Sequence, residues 1–176
     1  MHKKVSARLL SAFTAFFLLL LCNGCQGIKS TDLSGESLNG IQLGSAYDES
    51  RAEAVFGNVF RIDKEQSDGT QCYNFFSDQY EVEISVKDQK ITGMLSEGSL
   101  LKTGKVATKK GITSRSSLND IVKAYGPNYK KIIRNNEMGE ENHYDIIYTD
   151  TKNRIKLTFV FLENKTSDSD ITIEEY

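Results

Sequence analysis

Tyr80-Glu81-Val82-Glu83-Ile84-Ser85-Val86-Lys87 puts a bulky, largely apolar side chain at every second position and a polar one between. Successive side chains of a strand point to opposite faces, so this period of two reads as a strand with one dry face and one wet face, as in an antiparallel sheet. Further along, Ile155, Leu157, Phe159 and Phe161 alternate with Lys156, Thr158 and Val160 in the same way. Ile91 follows the first run, and Ile171 and Ile173 follow the second, each marking a further strand.

Upstream of each run lies a helical stretch. Leu118, Ile121, Val122 and Tyr125 fall at i, i+3, i+4 and i+7, one stripe of an amphipathic helix. Ser117 is placed to cap it, and Gly126-Pro127 ends it, since glycine accepts the left-handed turn and proline cannot continue the helix. In the first stretch Tyr47, Ala54 and Val55 share a face with Arg51, and Gly57 marks the stop. Short pairs recur in the same order. Gly40-Ile41 returns as Gly111-Ile112 and Tyr73-Asn74-Phe75-Phe76 as Tyr144-Asp145-Ile146-Ile147, both at a separation of 71; Phe56-Gly57 returns as Tyr125-Gly126 at 69. Asp78 and Thr149-Asp150 follow the aromatic strands, and Lys87–Lys90 and Glu163-Asn164-Lys165 sit where turns are needed. The expectation is an α+β protein of two tandem repeats, each a helical segment packed on an antiparallel β-meander. Unit 1 spans 40–94, a connector 95–110, and unit 2 111–176.

The start of the chain belongs to a different grammar. His2, Lys3, Lys4 and Arg8 precede Leu9–Leu21, a 13-residue apolar stretch. That is shorter than the roughly 20 residues a membrane-crossing helix needs, so export is the reading. Gly24-Cys25 then resembles a bacterial lipoprotein signal, in which a small residue precedes the cysteine that receives diacylglycerol. Cys22, preceded by the bulky Leu21, fits that pattern less well. Residues 1–24 read as a lipoprotein signal peptide, with Cys25 as the lipidated residue anchoring the chain to a bilayer. Residues 25–39, rich in Ser, Gly and polar side chains, read as a flexible tether.

Removing 1–24 takes three of the 22 basic residues and no acid, so the formal charge moves from −2 to −5. A net-acidic, tethered chain does not suit nucleic acid or anionic headgroups. Its one remaining thiol, Cys72, excludes a disulfide scaffold. Cys72 lies in the strand-like run Gln71–Phe76 and reads as buried.

Chemistry-bearing patterns are few. With His2 in the signal, His143 is the one imidazole left, short of any two-histidine mechanism or metal site. Ser114, Ser116 and Ser117 stand near Lys109 and Lys110 without Ser-x-x-Lys spacing. Asp168-Ser169-Asp170 and Glu163 lack the calcium-loop pattern. No phosphate-binding glycine loop occurs, and past residue 24 there is no Cys-x-x-Cys. Neither an enzymatic role, a cofactor nor a metal is read from the chain.

The order Gly-Ile, helix, aromatic-Gly, Tyr-containing meander resembles the small repeat of β-lactamase inhibitor protein and of the SmpA/OmlA outer-membrane lipoproteins. It is similar also to tandem-repeat lipoproteins of unknown function in Gram-positive bacteria. The resemblance implies a helix layer on an antiparallel sheet, and a binding role: enzyme inhibition in one case, envelope assembly in the other. Eight Tyr remain in the exported chain. Tyr73, Tyr125 and Tyr144 sit at recurring positions and read as core, while Tyr80, Tyr129 and Tyr148 are candidates for a binding face. The expected function is a membrane-anchored extracytoplasmic lipoprotein acting as a non-catalytic protein-binding, inhibitory or scaffold module, its partner an envelope or secreted protein. The alternative is cell-wall glycan or small-molecule binding in a cleft between the repeats.

Overall fold

A computed structural model describes residues 29–57, 59–64, 68–76, 81–97, 105–134, 143–162 and 169–176. Strand β5 (Glu81–Lys87) realises the alternation: Val82, Ile84 and Val86 are buried, and Glu81, Glu83, Ser85 and Lys87 lie on the other face, half-buried. Its neighbours are β4 (Gln71–Phe76) and β6 (Lys90–Glu97). Register sets Ile84 between Tyr73 and Met94, and a shift between Ser85 and Val86 brings Val86 opposite Ile91. Strand β3 (Val59–Lys64) flanks β4 at one edge. In the second half of the chain, β8 (His143–Asp150), β9 (Ile155–Leu162) and β10 (Ser169–Glu175) follow β7 (Lys130–Arg134). The short strands β1 (Ser37–Leu38) and β2 (Ile41–Gln42) form a separate ribbon.

The eight long strands run in the order β3-β4-β5-β6-β10-β9-β8-β7. At the centre β10 pairs antiparallel with β6, setting Ile173 opposite Met94 and Ile171 opposite Ser96. This pairing overturns the expected fold class. A helix followed by four strands does occur twice in chain order, but the strands close into one continuous antiparallel sheet. The fold is predominantly β, and no unit is a helical segment on a meander of its own. The physical reason is edge satisfaction: β6 and β10 would each expose a row of unpaired backbone groups, and pairing them removes both edges.

Two eight-residue helices lie on the dry face. Helix α1 (Glu49–Phe56) is capped by Asp48, whose carboxylate accepts from the Arg51 amide at 3.1 Å. It buries Ala52 and Phe56, with the Phe56 ring 5.7 Å from Phe75. The face read from Tyr47, Ala54 and Val55 is corrected in part: Ala54 is exposed, because the bulkier Phe56 turns its own side of the helix inward. Helix α2 (Leu118–Tyr125) opens with a capping box in which Ser117 and Asp120 bond each other's amides. It buries Ile121 and Tyr125, the Tyr125 ring lying 5.4 Å from Tyr148 and 5.9 Å from Phe159. Gly57 and Gly126 follow the two helices at φ 84° and 88°, as a glycine stop requires.

The tether reading fails from Leu33 onward. Leu33, Glu36 and Leu38 are buried, and the Leu33 amide donates to Asp150 Oδ2 at 2.9 Å. Glu36 Oε1 accepts from the amides of Ser37 and Lys109, and Oε2 is hydrogen-bonded to the Tyr125 hydroxyl at 3.1 Å. Polar composition concealed a segment whose polar groups are satisfied internally. The connector is shorter than read, since β6 runs to Glu97 and Val106 is already core. No helix among the described residues is long and apolar enough to cross a membrane.

Candidate functional site

Because α1 and α2 cover one face, the opposite face of the sheet is bare of helices among the described residues. Across it Cys72, Ser85, Gly93, Glu174 and Lys156 fall side by side on β4, β5, β6, β10 and β9. Gly93, in the middle of that row, has no side chain, and the space its Cβ would take lies 3.4 Å from Ser85 Cβ. The dip it leaves opens into a cleft of about 610 Å³.

Turns make the walls. On one side Asp68 and Thr70, between β3 and β4, meet Lys87, whose Nζ lies 3.1 Å from Asp68 Oδ2. Hydrogen bonds from the Thr70 amide and hydroxyl, then the Lys87 ammonium, hold the Asp68 carboxyl down at about 2. On the other side stand Asn153 and Arg154 of the β8–β9 turn with Glu175 and Tyr176. Arg154 takes φ 57°, and its Nε donates to the Tyr176 carbonyl at 2.6 Å. Asp150 holds this turn: its carboxylate accepts from the amides of Lys152 and Asn153 and from Asn153 Nδ2. Glu174, which lines the cleft, pairs with Lys156 at 2.6 Å.

Beyond the cleft the same face is acidic. Glu97 lies directly opposite Glu81, and burial, then the charges of Glu81, Asp170 and Glu83, push its carboxyl above the usual range. At the far end of β4, Phe60 and Phe76 are exposed side by side, ring centroids 5.8 Å apart.

The residues singled out in the sequence are scattered. Cys25 and Tyr80 lie outside the described residues. Tyr129 is half-buried, packed beside Tyr148. Tyr148 is a correction: it is fully buried and donates its hydroxyl to the Gly126 carbonyl at 2.8 Å, so it presents no binding surface. It shares the inward face of β8 with Tyr144 and Ile146, an alternation that would have placed it in the core. Cys72 is half-buried on the cleft floor, 3.6 Å from Ser85 Oγ, rather than in the core. His143 is half-buried at the start of β8. Lys109 and Lys110 donate to the carbonyls of Ser34 and Ala124, and Ser116 accepts from the Thr113 amide. Ser169 is buried and Asp170 half-buried; Glu163 and Asp168 lie outside the described residues. No group of three metal-ligating side chains occurs among the described residues. The cleft residues Asp68, Asn153 and Arg154 were missed, although Asp150-Thr151-Lys152-Asn153 carries a turn signal.

No protein-family model matches the chain, and no curated protein matches it in sequence. Among solved structures it is similar to a cysteine-rich secretory protein from Staphylococcus aureus, with a TM-score of 0.50 and 9% identity over 76% of this chain and 44% of that one. An extracellular protein containing an SCP domain from Bacillus anthracis gives 0.49 and 12% over 86% and 47%. A DUF4309 family protein from Bacillus subtilis gives 0.42 and 18% over 86% and 84%. The chain spans less than half the length of the first two, and the likeness to the Staphylococcus aureus protein is one of fold alone.

Proposed function

We propose that this protein is a lipid-anchored, extracytoplasmic binding module, and that the open face of its sheet engages a segment of another envelope or secreted protein. The anchor rests on the sequence around Gly24-Cys25. The binding face rests on one observation: a single bare sheet face joins a charged cleft to an exposed aromatic pair, Phe60 and Phe76. Exposed aromatics supply buried area to a protein interface, and ion-paired walls supply register and selectivity. A cleft built mainly of charged and polar side chains suits a polar peptide segment better than an apolar small molecule.

Two measurements test this reading. Labelling with a palmitate analogue should be lost in Cys25→Ala and kept in Cys22→Ala. Affinity capture from membranes should recover a partner with the wild-type chain that Glu83→Lys and Phe76→Ser both lose. Equal recovery by wild type and both variants would remove the open face from consideration.

A further inference from the structure

On the opposite face of the sheet, near the β5–β6 turn, Tyr47, Gly69, Gln71, Tyr73, Asp88 and Gln89 line a separate cleft of about 290 Å³, with Val86 at its base. We propose that it is a second binding site, one that takes a single neutral sugar ring of a glycan. A sugar ring offers an apolar C–H face and a rim of hydroxyls that donate and accept. The complement is an aromatic surface beside planar polar groups, and here two tyrosine rings meet two primary amides and one carboxylate.

The site is preorganised, which lowers the ordering cost of binding. The Tyr47 and Tyr73 rings pack against each other with centroids 4.2 Å apart and planes tilted by 36°. The Tyr73 hydroxyl donates to Gln71 Oε1 at 3.0 Å, which orients the amide and leaves its NH₂ for a ligand oxygen. The Tyr47 amide donates to the Gln89 carbonyl at 2.9 Å, tying the tyrosine segment to the turn, where Asp88 and Gln89 sit at φ 50° and 64°. Tyr47 lines the cleft while its hydroxyl is buried with no hydrogen-bond partner among the described residues.

Charge and hydrogen-bonding chemistry narrow the ligand class. Among the described side chains no cation lines the cleft, Asp88 does, and Asp48, Glu49 and Glu53 act on Tyr47 from the neighbouring cap and helix. An anionic sugar or a phosphate would be repelled. A quaternary ammonium offers no hydrogen bonds to the Gln71 and Gln89 amides that line the cleft, whereas the hydroxyls of a sugar engage both.

Saturation-transfer NMR on the full chain in detergent tests the site, with an N-acetylglucosamine trimer and cellotriose as neutral probes, a glucuronate oligomer as anionic probe, and choline as cationic probe. Saturation of at least one neutral probe is expected, weakened about tenfold by Gln71→Ala and by Asp88→Gly, with thermal midpoints near wild type. Glycine accepts the left-handed backbone at position 88. Tyr73→Phe keeps the ring but frees the Gln71 amide, and is expected to weaken binding less. Glu83→Lys, on the other face, should leave sugar binding unchanged, so failure here and failure of the open-face reading are separate results. Saturation of choline or the glucuronate oligomer alone, of no probe, or of a neutral probe undiminished in both variants, would overturn the proposal.

Discussion

Asp150→Ala strips four hydrogen bonds from a carboxylate that is 2% exposed. Oδ2 accepts from the Leu33 amide at 2.9 Å and Asn153 Nδ2 at 2.8 Å; Oδ1 accepts from the amides of Lys152 at 3.1 Å and Asn153 at 3.0 Å. Bonds to an ionised acceptor contribute roughly 1.5–3 kcal/mol each, and a stranded buried donor costs about 1–3 kcal/mol. The three turn donors can reach water, whereas the Leu33 amide is buried, so the loss should come to about 3 kcal/mol. Urea unfolding at pH 7 followed by circular dichroism should show the midpoint falling with little change in slope. The pH dependence supplies a second signature. Burial raises this carboxyl, but the bonds from Asn153, Leu33 and Lys152 together outweigh it and hold the group below 3.8. Its contribution is therefore complete above the unfolded value of about 3.9 and lost as pH falls through the lower folded value. Wild type should lose this increment below about pH 4, and the variant should not. A shift under about 0.5 kcal/mol, or identical acid limbs, would refute the assignment of Asp150 as the residue that docks the segment at Leu33 and fixes the cleft wall.

Three other substitutions probe the same structure. Tyr125→Phe removes the hydroxyl bonded to Glu36 Oε2 and, at 2.8 Å, to Thr108 Oγ1; thermal or urea unfolding should show a loss of about 1–3 kcal/mol. Arg134→Ala exposes the consequence of leaving Asp145 buried without its guanidinium, which pairs with Oδ2 at 2.6 Å; a loss of about 2–3 kcal/mol is expected, against under about 0.5 for Lys156→Ala on the exposed pair. Glu97→Gln should raise the thermal midpoint slightly by relieving the repulsion of Glu81, and the gain should shrink in high salt.

Local chemistry was the legible part. Alternation in β5 and β9, the stripe and cap of α2, and the stops at Gly57 and Gly126 all depend on neighbours within a few residues, so the sequence displays them directly. Pairing between β6 and β10 depends on which distant edges find each other, and nothing in Met94 or Ile173 names the other as partner. Tyr148 went wrong because tyrosine suits wet and dry sites alike, although its place in the period-two run of β8 marked it as core. Residues 33–38 read as spacer because Glu36, Ser37 and their neighbours are polar; their burial is stabilised by Tyr125 and Lys109, far along the chain. The open cleft draws Asp68, Gly93 and Arg154 from three turns and strands, and the left-handed backbone at Arg154 has no sequence signal. Gln71 and Tyr73 lie in a strand read from the sequence, yet Tyr47 and Gln89 join them only through the tertiary fold.

The open face can be interrogated in place by introducing a photo-crosslinking amino acid at Thr92, within the cleft, and separately at Lys123, on α2. Ultraviolet irradiation of membranes carrying each protein should trap a partner from position 92, absent from position 123 and suppressed by Glu83→Lys. Crosslinks of equal yield from both positions, or from position 123 alone, would contradict the assignment of the binding surface to the bare face of the sheet.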